Sequence, residues 1–230
     1  MYTRTAYCVN NIFSNASRER CLANLKKMRV PDGWKGATPT APNASVLIPV
    51  CSVEDNTSLL YTIRSPNLRS HSGQISFPGG KMDEGETPIQ AALRETQEEI
   101  GLSPTKIDVW GHGPPIQGRD KKFLITPVIG TVVDLRKTDL HLNTKEVAEV
   151  FCVPLEILCN PKNQFYTQFR NGFILPVFVA EEYKIWGITA YLTHTFLSCL
   201  LPKEVYRNEW TKKKINLKDN EHMQLESDTM

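Results

Sequence analysis

The chain has 230 residues, of which 40% are hydrophobic and 23% are charged, and its formal net charge is +2. This length and apolar content are sufficient for one well-buried enzyme domain. The nearly balanced charge argues against binding nucleic acid through electrostatics alone. There is no run of about 18 apolar residues, so we expect no membrane span. The six cysteines are scattered without a C-x-x-C pair, which favours free thiols over a zinc site or a disulfide framework.

The first 29 residues are basic, with six Lys or Arg residues against Glu19 alone. A start that carries Arg and Ser but few acids is typical of a mitochondrial transit peptide, and we favour that interpretation. The alternative is an ordinary amphipathic helix at about residues 17–28, since Cys21 and Leu25 recur at helical spacing. A loop rich in Pro, Gly and Ala at 31–44 then predicts a domain boundary.

Short apolar runs bounded by turn residues predict a series of β-strands. The predicted strands cover 45–51, 58–64, 106–111, 124–133, 147–153, 173–180 and 183–186. Besides the helix at 17–28, helices are predicted at 88–100, 154–158 and 187–200. The polar, charged composition after residue 202 is typical of a frayed tail. We therefore divide the chain into an N-terminal segment (1–44), an α/β domain (45–201) and a C-terminal tail (202–230).

Residues 80–102 are the most informative about function. Glu95, Glu98 and Glu99 are spaced i, i+3, i+4, so in a helix their carboxylates share an arc of roughly 100°. Like charges this close destabilise a helix unless a cation lies between them. A hard divalent metal, which prefers oxygen ligands, would supply that cation. The alternative is a solvated acidic face on a surface helix.

Local signals place this helix at residues 88–100. Thr87 is a good N-cap, Gln90 completes a capping box, and Pro88 suits the first helical position. Gly101 suits the C-terminal end. Apolar residues form a stripe that faces away from the glutamates (Ile89, Leu93 and Ile100).

The fixed positions of this stretch match the Nudix box, G-x5-E-x7-R-E-U-x-E-E-x-G-U, where U is a bulky aliphatic residue. The matching residues are Gly80, Glu86, Arg94, Glu95, Glu98, Glu99, Gly101 and Leu102. Thr96 departs from the pattern at the first U position, and we expect it to pack as an aliphatic residue would. The chain thus resembles the Nudix hydrolases. That resemblance implies an α/β/α sandwich with a mixed β-sheet, in which a loop–helix–loop motif holds Mg²⁺ or Mn²⁺.

The resemblance also implies roles for the box residues. The implied metal ligands are Glu95, Glu98, Glu99 and Gly80. The implied catalytic residues are Glu98, Glu95, Arg94 and Glu86. Among these, Glu98 would share the metal or activate water, Arg94 would orient the carboxylates, and Glu86 would support the loop. Glu146, in a later loop, is a candidate for a further ligand or a general base, with a solvated turn as the alternative.

Residues 59–80 resemble a second signature, L-L-x-T-x-R-S-x-x-L-R-x-H-x-G-Q-[IV]-x-F-P-G-G, which marks coenzyme A diphosphatases within the Nudix family. The matching residues include Arg64, Ser65, Leu68, Arg69, His71, Gly73, Gln74, Phe77, Pro78, Gly79 and Gly80. The likeness extends over roughly residues 45–200 and is greatest to the mitochondrial branch. It implies hydrolysis of coenzyme A or acyl-coenzyme A at the diphosphate, giving 3′,5′-ADP and (acyl-)4′-phosphopantetheine.

Coenzyme A carries a 3′-phosphate besides its diphosphate, so its site needs several cations. Arginine can grip phosphate oxygens in a bidentate manner, and a glycine lets the backbone approach them closely. The candidate substrate-binding residues are Arg64, Arg69, His71, Gln74, Gly79 and Lys81. Surface positions are the alternative for the two arginines, and His71 could instead hydrogen-bond its own loop. We expect Phe77 in the core.

Two other functions stay open. One is a Nudix diphosphatase that acts on NADH or ADP-ribose, and the other is a non-catalytic coenzyme A sensor. We expect a small-molecule partner, coenzyme A or acyl-coenzyme A, no nucleic acid, and a monomer or homodimer. Residues 227–230 do not form the S-K-L peroxisomal signal, so we expect a mitochondrial location, with the cytoplasm as the alternative.

Overall fold

The computed structural model describes residues 12–28, 43–68, 70–117, 123–169 and 172–217. The helices are α1 (Asn15–Lys27), α2 (Pro88–Ile100), α3 (Leu155–Cys159) and α4 (Gly187–Leu200). The strands are β1 (Asn43–Val53), β2 (Asn56–Arg64), β3 (Ile75–Ser76), β4 (Gly79–Lys81), β5 (Ile107–His112), β6 (Ile116–Gln117), β7 (Leu124–Val132), β8 (Val147–Pro154), β9 (Gln164–Gln168), β10 (Ile174–Ala180) and β11 (Tyr183–Ile185).

Eight of the described strands form a mixed sheet around β1. The main path runs β3-β2-β1-β7-β5, while β4 pairs with β1, β6 with β7 and β8 with β2. The β1–β7 pair is parallel, and the other pairs in this sheet are antiparallel. Strands β9, β10 and β11 form a second, antiparallel sheet. The start of β1 therefore lies between β4 and the start of β7.

Helices cover both faces of the main sheet. Ile100 of α2 packs with Leu47 of β1 in one hydrophobic cluster. Leu25 of α1 and Phe196 of α4 share the other cluster with Ile48 of β1. Successive residues of β1 thus point to opposite layers, as the period of a strand requires. This arrangement is the α/β/α sandwich with a mixed sheet that the sequence predicted.

All of the predicted helices and strands are present, with ends that differ by one or two residues. Four further strands were not predicted, namely β3, β4, β6 and β9. The first three have only two or three residues, so they carry no recognisable alternation, and β9 begins and ends with glutamine. Pairing with longer strands, rather than local preference, determines where these strands form.

Helix α1 is part of the core. Cys21 and Leu25 are 0% and 2% exposed. Arg18 forms an ion pair with Asp108 on β5, and Asn24 donates a hydrogen bond to the Cys199 carbonyl at the end of α4. The helix predicted at about residues 17–28 is therefore present as Asn15–Lys27, and it packs against the sheet. Residues 1–11 and most of the predicted linker at 31–44 lie outside the described residues.

The segment after α4 is not frayed over residues 202–217, so that prediction is wrong there. Tyr206 is buried, and its hydroxyl lies 2.8 Å from His194 Nδ1 on α4. Lys214 pairs with Tyr166 of β9, and Leu217 is also buried. A few apolar anchors thus hold a segment whose average composition is polar. Residues 218–230 lie outside the described part of the chain.

No helix within the described ranges is both long and apolar enough to cross a membrane. The described cysteines, at positions 21, 51, 152, 159 and 199, form no disulfide with one another.

Candidate active site

Helix α2 begins and ends at the predicted residues, so its glutamates have the helical spacing that places them on one face. Thr87 and Gln90 form the reciprocal capping box, and Gly101 closes the helix with a φ of 73°. Thr96 is fully buried and donates a hydrogen bond to the Ala92 carbonyl, so it packs as expected. The apolar side of α2 then faces the sheet, while Glu95 and Glu99 lie against β4.

Glu99 is a buried carboxylate, only 4% exposed. Its Oε2 accepts a hydrogen bond from the Gly79 backbone N–H at 3.1 Å. The pKa of Glu99 is raised to about 7, chiefly by burial. The Gly79 N–H and Arg64 lower it, while the nearby carboxylates of Glu95 and Glu146 raise it. Neutralising this carboxylate is therefore favourable, whether by a proton or by a cation.

Glu95 lies one turn before Glu99, beside Gly80. A methyl group at position 80 would collide with the Glu95 carboxylate, so any larger residue there would force Glu95 out of this position. Burial raises the pKa of Glu95, while the Arg94 guanidinium, 3.0 Å away, lowers it. Two partly desolvated acids thus share the space next to β4.

Arg94 ties the loop after β4 to helix α2. Its Nε and Nη2 donate to the two oxygens of Glu86 at 2.8 and 2.9 Å, and Nη2 also donates to the Lys81 carbonyl at 2.9 Å. Glu86 accepts a further hydrogen bond from the Asp83 backbone N–H at 2.8 Å. The hydrogen bonds from Arg94 hold the pKa of Glu86 at about 2, so it stays ionised.

Glu98 differs from the other two box carboxylates in its exposure. Its side chain is 58% exposed, against 16% for Glu95 and 5% for Glu99. One of its oxygens lies 3.4 Å from Arg94 Nη1. Glu98 can therefore reach solvent and a bound molecule while Arg94 restrains its position.

The side chains suit a hard divalent cation, because their donors are carboxylate oxygens. Within the described ranges, no three Asp, Glu, His or Cys side chains converge closely enough to form a complete metal site. Burial nevertheless raises the pKa values of the buried Glu99 and the partly buried Glu95, so both carboxylates would be stabilised by added positive charge. A divalent cation between them would supply it, so the residues fit Mg²⁺ or Mn²⁺.

The second signature approaches the same carboxylates through Arg64. Its Nη1 lies 3.9 Å from Glu99 Oε1, at the end of β2. The Ser65 backbone N–H donates to the Glu146 carbonyl at 2.8 Å, which brings the loop of Glu146 to this point. Arg64, Glu99 and Glu146 therefore meet, although they are distant in sequence.

The other signature residues lie in different surroundings. His71 Nδ1 lies 3.0 Å from Gln74 Oε1, so these two side chains bond to each other within their own loop. Phe77 is buried and stacks on Tyr61 with ring centroids 4.8 Å apart, as expected for a core residue. Arg69 lies outside the described residues.

Comparison with known proteins identifies the family. Residues 41–172 match the family model described as the NUDIX domain. The chain belongs to the Nudix hydrolase family. This Nudix hydrolase is 42% identical over 192 residues to the mitochondrial coenzyme A diphosphatase NUDT8 of Homo sapiens, with 79% of this chain and 81% of the relative covered.

Two further relatives are similar over much of their length. The NUDT8 protein of Mus musculus is 43% identical over 165 residues, which cover 69% of this Nudix hydrolase and 78% of the relative. Nudix hydrolase 3 of Caenorhabditis elegans is 34% identical over 223 residues, covering 88% of this chain and 92% of the relative. The likeness to the Caenorhabditis elegans protein thus extends beyond residues 41–172 on both sides.

Sequence reasoning missed one residue of this Nudix hydrolase that borders the site. The Lys81 ammonium lies over the Phe123 ring, 5.6 Å from its centroid, at the start of β7. An aromatic residue directly before a strand is a common pattern, so it does not by itself indicate a binding site. Its place beside Lys81 follows from the pairing of β1 with both β4 and β7.

Proposed function

We propose that this Nudix hydrolase cleaves the diphosphate bond of coenzyme A and acyl-coenzyme A. The products would be 3′,5′-ADP and (acyl-)4′-phosphopantetheine. The observation that carries the proposal is the distance of 3.9 Å between Arg64 Nη1 and Glu99 Oε1. This contact brings the segment that resembles the coenzyme A signature next to the acidic helix of the Nudix box. The names of the human and mouse relatives support the same substrate.

In this proposal, Glu95, Glu99 and the Gly80 carbonyl hold Mg²⁺ or Mn²⁺, with Glu98 as a further ligand or as the base. The bound cation would neutralise diphosphate oxygens and lower the pKa of attacking water. Glu98 is suited to accept the proton of that water, because it is the most exposed of the three carboxylates. Arg94 keeps Glu95 and Glu98 in position through its contacts at 3.0 and 3.4 Å.

Cations of the chain would bind the substrate phosphates. Arg64 lies beside Glu99, and its Nε is buried without a partner among the described residues, so its guanidinium can still form hydrogen bonds. It would grip the diphosphate in a bidentate manner. Lys81 has an exposed side chain and, with Arg69, would bind phosphate. His71 and Gln74, which bond to each other, would shape the loop that follows Arg64.

We also propose a mitochondrial location, which the names of the human and mouse relatives support. Helix α1 would stay in the mature protein, because Leu25 is part of the core. Ile12 is likewise buried. A cleaved leader would therefore end before residue 12, and sequencing the N-terminus of the protein isolated from mitochondria would test this.

A substrate comparison tests the proposed reaction. Purified protein would be assayed with Mg²⁺ or Mn²⁺ on coenzyme A, NADH and ADP-ribose, alongside Glu98→Gln and Glu99→Gln variants. We expect the highest kcat/KM on coenzyme A and a loss of about 10²-fold or more in kcat for Glu98→Gln. A higher kcat/KM on NADH or ADP-ribose would contradict the substrate. Full activity in both variants would contradict the roles of the glutamates.

A further inference from the structure

Two hydroxyl side chains lie together near the end of β2. Thr62 Oγ1 is 2.9 Å from Ser76 Oγ and 3.2 Å from the Ser76 carbonyl oxygen, and the two residues pair across β2 and β3. Thr62 is 1% exposed, whereas Ser76 is partly exposed. Ser76 is therefore the member of the pair that a bound molecule can reach.

The hydroxyl pair lies on the face of the sheet that α2 covers. Leu60 belongs to the same hydrophobic cluster as Ile100 of α2, while Tyr61 belongs to the cluster on the opposite face. Alternate residues of a strand share a face, so Thr62 points to the same side as Leu60. The Ser76 side chain, which bonds to that of Thr62, is thus on the same face as the carboxylates.

Contacts to Glu99 lie on both sides of the hydroxyl pair. Arg64, two residues after Thr62, has its Nη1 3.9 Å from Glu99 Oε1. Gly79, three residues after Ser76, donates its backbone N–H to Glu99 Oε2. Two residues of a strand span about 7 Å, and three residues of extended chain span at most about 11 Å. One substrate could therefore contact Arg64, Ser76 and a cation beside Glu99.

The hydrogen bonds of the pair leave one donor for a ligand. Each hydroxyl carries one hydrogen and rotates to suit its partners. When Thr62 donates to Ser76 Oγ, the Ser76 hydrogen can point towards a bound molecule. Within the described ranges, Thr62 is the only side chain that bonds the Ser76 hydroxyl. An anionic oxygen is a favourable acceptor for this hydrogen, because charge strengthens a hydrogen bond.

The neighbouring donors suit a phosphate group. The Nε of Arg64 is buried without a partner among the described residues, so the guanidinium and the Ser76 hydroxyl both have a hydrogen to donate. The second signature requires threonine at position 62 and arginine at position 64 but leaves position 76 open. The resemblance therefore assigns no role to Ser76, and its place beside Arg64 comes from the pairing of β2 with β3.

We propose that the Ser76 hydroxyl donates a hydrogen bond to a non-bridging oxygen of the substrate diphosphate, with Thr62 holding Ser76 in place. The inference rests on the proposed function and deepens it, since it assumes a diphosphate between Arg64 and the cation. A neutral hydroxyl orients the diphosphate without pairing with the carboxylates that hold the metal. Ser76 is then a substrate-binding residue, and Thr62 is a positioning residue.

Two substitutions of nearly equal shape test the inference. Ser76→Thr keeps the hydroxyl and Ser76→Val replaces it with a methyl group, while both β-branched side chains suit a strand. We expect kcat/KM for coenzyme A to be about 10-fold lower or more in Ser76→Val than in Ser76→Thr, because a hydrogen bond to a charged group is lost. Ser52→Ala is the control, since Ser52 is a partly exposed serine opposite Thr57 at the other end of β1, and it should match the wild type.

Two further readouts separate contact with the diphosphate from other effects. The same loss should appear with dephospho-coenzyme A, which lacks the 3′-phosphate but keeps the diphosphate. The Mn²⁺ concentration that gives half the maximal rate should be unchanged in Ser76→Val, because the carboxylates are intact. A loss confined to coenzyme A would overturn the assigned contact. A raised Mn²⁺ requirement would also overturn it, since it would mean that Ser76 acts on the metal ligands.

The outcomes distinguish this inference from the proposed function. Equal kcat/KM values for folded Ser76→Thr and Ser76→Val proteins would overturn the role of Ser76 and leave the hydrolysis of coenzyme A intact. If Ser76→Val fails to fold, Ser76→Ala, which removes only the hydroxyl, is compared with the wild type instead. If the wild-type protein does not cleave coenzyme A at all, the proposed function itself fails, and the role of Ser76 fails with it.

Discussion

At Glu99, protons and a metal ion would compete for the same carboxylate. The pKa of this group rises from an ordinary value of 4.5 to about 7, chiefly because the side chain is buried. A folded-state pKa above that of the unfolded chain means that the folded protein binds the proton more tightly. Metal-free protein should therefore lose stability as the pH rises from about 4.5 through about 7, since the buried carboxylate becomes charged.

A Glu99→Gln variant should remove this loss. In EDTA at about pH 8, we expect its free energy of unfolding to exceed that of the wild type by up to about 3 kcal/mol. Near pH 4 the difference should vanish, because Glu99 is then neutral in both states. Urea unfolding at the two pH values measures this. A variant that is equally less stable at both values would contradict the assignment of buried charge.

Arg94 should not tolerate replacement by lysine. Its planar guanidinium contacts Glu86, Glu95, Glu98 and the Lys81 carbonyl at once, and a single ammonium cannot reproduce that geometry. We expect Arg94→Lys to lower kcat about 10- to 100-fold, as is common when residues that orient metal ligands are changed. Steady-state kinetics at saturating metal would measure the loss. Activity close to that of the wild type would contradict the orienting role.

At the scale of elements, helix α2 could be predicted well because its signals are local. Thr87, Gln90 and Gly101 lie within the helix or next to it, and each has the hydrogen bonds or dihedral angles that its residue type favours. Strand β4 could not be predicted, since it has only three residues and begins with two glycines. Its position depends on pairing with β1, and on the Gly79 N–H that bonds Glu99.

Helix α1 gives a clear test of whether the N-terminal region is part of the fold. Leu25 is 2% exposed, whereas the next residue, Lys26, is exposed to solvent. We expect Leu25→Ala to lower the free energy of unfolding by about 2–5 kcal/mol through cavity formation, and Lys26→Ala to change it little. Chemical denaturation would measure both. Equal stability of the two variants would mean that α1 does not pack in the core.

For the whole molecule, the candidate site depends on several parts of the chain meeting at one end of the sheet. Arg64 ends β2, Gly79 begins β4, Glu99 lies on α2, and Glu146 precedes β8. Motif spacing could identify Arg64, Gly79 and Glu99, because each motif is contiguous in sequence, whereas Glu146 lies in neither motif. The contact between Arg64 and Glu99 could not be predicted that way, since it depends on how β2 and α2 are arranged around β1.

Different helices cover the two faces of the main sheet. Helix α2 brings the carboxylates to one face, while α1 and α4 cover the other. The first part of β1 lies between β4 and β7, because it pairs with one on each side. The two faces are therefore covered by different parts of the chain, since α2 lies within the matched domain and α1 and α4 lie outside it.

The most direct test of the account is to identify the products of coenzyme A by mass spectrometry. Wild-type protein would be incubated with coenzyme A and Mg²⁺ or Mn²⁺, with Glu98→Gln protein and an EDTA-treated sample as controls. The account predicts 3′,5′-ADP and 4′-phosphopantetheine in equal amounts from the wild type, and little of either from the controls. Intact coenzyme A, or products that retain the diphosphate bond, would contradict it.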